Sequence, residues 1–226
     1  MSLAVDLLLL VHVLAGVVAL VTALVAALTK KGARFHRKVG SAFFWSMLGV
    51  GVTAIPVTFV RPNPFLFFIA LFSFYMALAG YRRGKSRFEN TALDVWAAVA
   101  MILTAFVMVG FGLSMVAGGE PLGWALVAFG GLGASFGIED VVDSRRSRSH
   151  SEKVRVHLSR MLGGTIATIT AVLVQQVAPL LESQLAQLVL WLSPTVILTP
   201  LIFVWNQRIA STGKYRLFAS KGTDTR

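Results

Sequence analysis

Long apolar segments, separated by short polar ones, follow one another along the whole chain. A segment of about 20 apolar residues forms a helix long enough to cross the hydrocarbon layer of a membrane. Because lipid offers no water to backbone groups, we expect each segment to be an α-helix, and the ~10-residue alternation of a membrane β-barrel is missing from the pattern. The third segment is short and is expected to gain a turn from its flanks. The predicted spans are about 4–29, 39–60, 65–81, 94–117, 123–142, 156–180 and 185–206.

The composition supports this all-α membrane fold. Apolar residues make up 56% of the chain and charged residues 14%, whereas soluble domains carry about 25% charged residues. We therefore predict one polytopic domain of seven transmembrane helices over residues 1–207, followed by a basic tail over 208–226. The sequence contains no cysteine, which excludes disulfides, thiolate metal sites and cysteine nucleophiles.

A net charge of +11 would suit a nucleic-acid-binding protein, but the basic residues are sorted by loop. Nineteen of the 21 Lys and Arg residues follow spans 1, 3, 5 and 7, and Arg61 alone lies in a connection on the opposite side. Cytoplasmic loops of membrane proteins are enriched in Lys and Arg. The distribution predicts an external N-terminus, a cytoplasmic C-terminus and no nucleic-acid partner. We expect the basic loops to contact anionic lipid headgroups.

The first and fifth spans carry small residues at helical spacing, which allow helices to approach one another closely. We interpret both stripes as packing surfaces, and an oligomer is also compatible with the sequence. The stripes comprise His12, Ala15, Gly16, Ala19, Ala23 and Ala27 in the first span, and Gly130, Gly133, Ala134 and Gly137 in the fifth.

Two similar phrases, "ARFHRKVGSAFF" (33–44) and "VRVHLSRMLGGT" (154–165), stand where spans 2 and 6 leave the cytoplasmic side. Pro56 follows the first phrase and Pro179 follows the second at a similar distance. The match predicts a 3+1+3 parallel repeat, in which span 4 links spans 1–3 to spans 5–7, a plan used by some transporters. The alternative is that basic loops often end in similar residues.

Four phrases of the chain resemble an uncharacterised family of bacterial multi-span membrane proteins that is defined by a domain of unknown function. They are "VHVLAG" (11–16), "FHRKVG" (35–40), "HLSRMLGGTIATITAVLV" (157–174) and "WLSPTVILTP" (191–200). The resemblance implies a multi-pass protein of the bacterial inner (cytoplasmic) membrane, but it implies no activity or cofactor. The single histidines on helices are also loosely similar to b561-type membrane cytochromes, although this chain lacks their two histidine pairs.

Ionisable residues gather near the predicted cytoplasmic ends of spans 2, 4, 5 and 6. Such residues inside a membrane boundary usually face the bundle interior or a wet cavity and mark functional sites. The alternative is that the carboxylates only pair with neighbouring basic loops. The predicted polar site comprises His36, Asp94, Glu139, Asp140, His157 and Arg160.

The leading functional hypothesis is a transporter-like or small-ligand-binding membrane protein that uses this polar site. A polar stripe extends the site along span 6, and His12 lies in the outer third of span 1. In the alternative interpretation, these polar groups only form hydrogen bonds between helices. The predicted stripe is His157, Arg160, Gly164, Thr168, Ala171 and Gln175.

Two other functions use the same histidines. If spans 2 and 6 are neighbours, His36 and His157 are placed to ligate one haem axially in an electron carrier. Alternatively, His36, His157, Asp94 and Glu139 would hold a divalent metal ion in an intramembrane enzyme, although no "HExxH"-type motif supports it. A further hypothesis is an accessory subunit without chemistry of its own.

Overall fold

The computed structural model describes residues 3–85, 91–145 and 149–212. Within these ranges the chain forms seven helices that are long and apolar enough to cross a membrane. The prediction of an all-α, multi-pass membrane protein is thereby confirmed. The helices are α1 (Leu3–Leu28), α2 (Arg34–Val60), α3 (Pro64–Gly84), α4 (Ala92–Ala117), α5 (Gly123–Asp143), α6 (His150–Val177) and α7 (Gln184–Thr212), and a 3₁₀ turn (Ala178–Leu180) follows α6.

Several helices extend beyond the predicted spans because polar residues cap their ends. The side chain of Asn63 accepts a hydrogen bond from the N–H of Leu66 at 3.0 Å, which caps the start of α3 at Pro64. The expected extra turn of α3 is at its other end, where the helix continues from 81 to Gly84. Ser149 and Glu152 form a reciprocal capping box, which starts α6 six residues before the predicted start at 156. At the other end of the chain, α7 continues to Thr212 into the predicted tail, and residues 213–226 lie outside the described residues.

The third helix lies at the centre of the bundle, where it packs against α2, α4, α5 and α6. By contrast, α1 packs along α2 and contacts α6 over a short stretch. The buried apolar residues form two clusters, one among α3, α4, α5, α6 and α7 and one among α1, α2 and α3. Residues of α3 belong to both clusters, so this helix joins the two parts of the core.

Helices α4 and α5 share the most extensive packing, and glycines on both make it possible. A Cβ atom added to Gly112 would lie 2.6 Å from the carbonyl oxygen of Gly123, and one added to Gly137 would lie 2.9 Å from that of Ala98. The interpretation of the fifth-span glycines as a packing surface is therefore confirmed. The first-span stripe also packs, since Ala19 and Ala23 are buried against α2.

The helix neighbours do not follow the predicted 3+1+3 repeat. In a parallel repeat, α5 would pack along α6 as α1 packs along α2. Instead, α5 packs along α4, and its described contacts with α6 are made mainly by charged side chains. The similarity of the two Arg-x-His phrases therefore reflects two helix starts at the same end of the bundle. We call this end, where α1, α3, α5 and α7 terminate, the basic end.

Candidate functional site

Arg160 lies about three turns into α6 and is buried, with only 1% of its side chain exposed. Its Nη2 atom donates to Glu139 Oε2 at 2.7 Å and to the carbonyl oxygen of Phe136 at 3.2 Å. The same atom lies 3.4 Å from Asp140 Oδ1, and the guanidinium stands 4.0 Å from the centre of the Phe136 ring. A buried charge is stable only when it is paired and hydrogen-bonded, and α5 supplies all of these contacts.

Asp140 connects Arg160 to α3. Its buried carboxylate accepts a hydrogen bond from the Tyr75 hydroxyl at 2.6 Å, and Arg83 Nη2 lies 3.9 Å from its Oδ1. Glu139 differs from these residues because 46% of its side chain is exposed. The charges therefore run from the interior of the bundle to its surface. We call the five residues the Arg160 network: Tyr75, Arg83, Glu139, Asp140 and Arg160.

A second ion pair joins the end of α3 to the start of α4. Arg82 Nε donates to Asp94 Oδ1 at 2.6 Å, and Arg82 Nη2 donates to Oδ2 at 2.9 Å. The N–H and the hydroxyl of Thr91 also donate to Asp94 Oδ2, each at 2.9 Å. Asp94 therefore serves both as the partner of Arg82 and as part of the capping box that begins α4.

We expect Asp94→Asn to lower the free energy of unfolding by about 2 kcal/mol, because two charge-assisted bonds to Arg82 weaken together. Titration of the detergent-solubilised protein with a denaturing detergent would measure the change. Asp6→Asn is the matched control, since Asp6 is exposed near the start of α1. Equal stability of the two variants would contradict a structural role for the ion pair.

A small cavity lies between this ion pair and the Arg160 network. Its volume is about 10 Å³, and its polar lining consists of Tyr75, Arg83, Asp94 and Asp140. A cavity of this kind must have a volume of roughly 10–15 Å³ to hold one water molecule, and the water needs two to four polar partners. The cavity therefore has the size and the lining for one water that bridges the carboxylates of α4 and α5.

His36 and His157 form a third polar group, in which their ring centres are 6.5 Å apart and the ring planes stand at 87°. His157 Nδ1 lies 2.7 Å from the carbonyl oxygen of Gly80, and His36 Nδ1 lies 3.2 Å from that of Ala26. A carbonyl oxygen only accepts, so each Nδ1 carries a proton and donates it. In the neutral imidazole each Nε2 then keeps its lone pair.

Lys31 caps the last turn of α1 beside the two histidines. Its Nζ donates to the carbonyl oxygens of Ala26 and Ala27, so it shares the Ala26 carbonyl with His36. Burial of the ammonium group lowers the pKa of Lys31 below its ordinary value. The histidine pair therefore has a basic neighbour rather than an acidic one.

The structure divides the six residues of the predicted polar site among three groups. Asp94 pairs with Arg82, Glu139 and Asp140 pair with Arg160, and the histidines pair with each other. Among the described residues, no three His, Asp or Glu side chains lie together so as to hold a metal ion. The predicted set of His36, His157, Asp94 and Glu139 is therefore not a four-ligand metal centre, because each carboxylate is held by an arginine.

The predicted polar stripe along α6 is interrupted in its second half. Thr168 is buried, where its hydroxyl donates to the carbonyl oxygen of Gly164 at 2.9 Å and contacts Met47 Sδ at 3.4 Å. Ala171 and Gln175 are exposed instead. No neighbouring helix covers that face of α6 at their level, so the stripe does not line a continuous interior path through the described part of the bundle.

His12 is a packing residue between α1 and α2. Its Nδ1 lies 2.8 Å from Thr53 Oγ1, and Thr53 in turn donates to the carbonyl oxygen of Gly49 at 2.7 Å. This contact agrees with the alternative that membrane histidines form hydrogen bonds between helices. It does not bring His12 to the other predicted site residues.

The residues of α3 that complete these groups were not predicted from the sequence. From the sequence, Arg82 and Arg83 only helped to identify the cytoplasmic side of the membrane, although the side chain of each reaches a carboxylate on another helix. Tyr75 was passed over inside an apolar run, and Gly80 supplies the carbonyl that holds His157. A tyrosine in a membrane-spanning segment was the available signal, because its hydroxyl needs a partner when it is buried.

Comparison of the chain with models of protein families, with curated proteins and with solved structures gave no match. The resemblance to an uncharacterised bacterial family therefore stays a prediction.

Proposed function

We propose that this protein is a transporter-like membrane protein that binds a small anionic ligand at the Arg160 network. The observation that carries the proposal is a guanidinium that is 1% exposed and paired with a carboxylate that is 46% exposed. Ionisable residues within membrane-spanning segments are costly and usually serve a function. The pair therefore links a buried cation to a carboxylate that reaches the surface of the protein.

The proposal assigns different roles to the two carboxylates of α5. Asp140 is buried and fixed by the Tyr75 hydroxyl, so it acts as a permanent counter-ion. Glu139 is held through one 2.7 Å bond and is free to rotate towards the surface. In this mechanism a carboxylate or phosphate group of the ligand takes the place of Glu139 beside Arg160.

Arg160 retains the hydrogen-bonding capacity that such a ligand needs. Its Nε atom is buried and has no hydrogen-bond partner among the described residues. Guanidinium groups bind carboxylates and phosphates through two parallel N–H bonds. An incoming anion would accept from Nε as well as from a terminal nitrogen, whereas Glu139 accepts only from Nη2.

The proposed membrane orientation follows from the loop charges. With 19 Lys and Arg residues on the side of the basic end, we place this end in the cytoplasm and the N-terminus outside, in the bacterial inner membrane. The Arg160 network then opens towards the cytoplasm. The basic connections around it would also attract anionic lipid headgroups and anionic solutes.

Ligand-induced stabilisation of the purified full-length chain tests the proposal. Thermal unfolding would be followed in detergent against concentrations of inorganic phosphate and a panel of mono- and dicarboxylates. A ligand that binds only the folded state raises stability by about 2.7 kcal/mol at 100 times its Kd. We expect at least one anion to stabilise the wild type.

Two substitutions at the network give opposite expected results. Glu139→Gln removes the competing charge and should tighten anion binding roughly three- to tenfold, while Arg160→Lys loses the two-bond geometry and should weaken it by at least about tenfold. Glu120→Gln, in the exposed connection after α4, is the control and should leave the affinity unchanged. Stabilisation by amines or neutral solutes alone, or equal anion binding by the Arg160→Lys variant, would overturn the proposal.

A further inference from the structure

The histidine pair is a site distinct from the Arg160 network, because its rings are held by backbone carbonyls of α1 and α3 and not by the carboxylates of α5. His36 lies in the first turn of α2 and His157 in the second turn of α6. Each Nδ1 is fixed by a backbone carbonyl, of Ala26 in α1 and of Gly80 in α3. Histidines that bind metals are oriented in this way, with one ring nitrogen donating to a carbonyl and the other free to ligate.

The separation of the two ring centres matches that of two imidazoles that share one metal ion. With metal–nitrogen distances of about 2 Å, two imidazoles on opposite sides of an ion have ring centres roughly 6 Å apart. The observed separation is 6.5 Å. Among the described residues, neither Nε2 has a hydrogen-bond partner that would compete with a metal.

Glycines of α3 hold His157 in this position. A Cβ atom added to Gly84 would lie 2.5 Å from His157 Nδ1, and one added to Gly80 would lie 2.9 Å from the backbone nitrogen of Met161. The two glycines, four residues apart, thus let α6 approach α3 closely enough for the ring to reach the Gly80 carbonyl. The position of the ring is therefore fixed on both sides.

Met161 lies on the same face of α6 as His157, and its side chain carries a thioether, which is a soft metal ligand. It lies one turn beyond His157 on α6, where residues four apart are neighbours, and its Sδ packs against Gly80. Its methyl group would lie 3.9 Å from a Cβ atom added to Gly40, which is one turn beyond His36 on α2. Met161 is therefore one helical turn from His157, and Gly40, against which its methyl group packs, is one turn from His36.

We propose that His36 and His157, with Met161 as a third ligand, form a binding site for a monovalent soft metal ion, Cu⁺. Imidazole and thioether ligands favour copper, and thioethers select its reduced form. Zn²⁺ takes four ligands, whereas no third His, Asp or Glu joins the pair among the described residues. The ammonium group of Lys31 lies beside His36 and repels a bound cation. An ion with one positive charge is therefore favoured over an ion with two.

The same packing argues against haem as the occupant. A porphyrin extends several ångströms from its iron in every direction, so it needs an open slot between α2 and α6. One turn from the histidines, Met161 instead packs against Gly40. One turn further on, the Phe43 ring reaches within 3.4 Å of a Cβ atom added to Gly164. A bare ion requires no such slot.

Competition for Cu⁺ tests this site in the full-length chain, purified in detergent without a histidine tag. Ascorbate would keep the copper reduced, and Cu⁺ would be supplied as its coloured complex with the chelator bicinchoninate. Loss of that colour reports transfer of the ion to the protein. We expect one Cu⁺ per wild-type chain and at least a tenfold loss of affinity in His36→Ala and in His157→Ala. His150→Ala, at the exposed start of α6, is the matched control and should bind as the wild type does.

Further measurements test the third ligand and the identity of the metal. Met161→Leu should weaken Cu⁺ binding and remove a sulfur scatterer from the copper X-ray absorption spectrum, while elution volume and thermal stability stay unchanged. Arg160→Lys should leave Cu⁺ binding intact, so failure of the anion proposal would not affect this result. Unaltered binding in both histidine variants, displacement of Cu⁺ by equimolar Zn²⁺, or a Soret absorption band lost in His36→Ala would overturn the copper assignment.

Discussion

Replacement of Arg160 by methionine is expected to lower the free energy of unfolding by about 3 kcal/mol, the largest effect of any single side chain in the polar groups. The cost arises because Asp140 stays buried after its close partner is removed, and breaking one side of a buried ion pair costs about 3–5 kcal/mol. Asp140 keeps the Tyr75 hydroxyl as a hydrogen-bond donor, so the expected loss of stability is at the lower end of this range. Unfolding in mixed micelles with a denaturing detergent would measure it.

The double variant Arg160→Met with Asp140→Asn distinguishes this cause from simple loss of packing. If the penalty comes from an uncompensated buried charge, the second substitution should restore more than half of the lost stability. Glu139→Gln alone should cost under about 1 kcal/mol, since the side chain of Glu139 is 46% exposed and exposed ion pairs contribute little. Additive losses in the double variant would contradict a charge-based penalty.

Gly123→Ala is expected to destabilise the protein by about 2 kcal/mol, and Gly112→Ala by a similar amount. An added Cβ atom at either glycine meets the backbone carbonyl of the other, and a backbone cannot rotate aside as a side chain can. Overpacking of this kind typically costs about 1–3 kcal/mol. The shift in thermal unfolding temperature and the yield of monodisperse protein after extraction would report the effect.

The same substitution at two neighbouring glycines provides the control. Gly110 in α4 and Gly131 in α5 have no atoms of other residues within 4 Å of an added Cβ. Alanine is a better helix former than glycine by up to about 1 kcal/mol, so Gly110→Ala and Gly131→Ala should leave stability unchanged or raise it. Equal losses at all four positions would mean that flexibility of the glycines, rather than close packing, matters.

The sequence was sufficient for the architecture because the membrane imposes a length and a composition on each helix. The extra turn of α3 and the packing of Ala19 and Ala23 were both predictable from local spacing. Helix ends were less predictable, since they depend on capping residues. The capping box of Ser149 and Glu152, for example, extends α6 into a stretch that hydropathy alone assigns to a loop.

The polar groups were only half predictable from the sequence. The sequence gives the angular position of a residue on its helix, but the identity of the neighbouring helix depends on tertiary packing. For this reason Gly164 and Thr168 are buried, while Ala171 and Gln175, on the same predicted face, are exposed. The partners of the carboxylates were missed for the same reason, because Arg82 and Arg83 act across to α4 and α5.

The central position of α3 has a consequence for how this chain can diverge over evolutionary time. In its most apolar window, 39% of α3 is buried, whereas the figure for α1 is 11%. Four helices and all three polar groups depend on α3, through residues such as Tyr75, Gly80, Arg82 and Arg83. Descendants of this sequence should therefore accept nearly any apolar replacement around most of α1, while α3 changes slowly and only together with its neighbours.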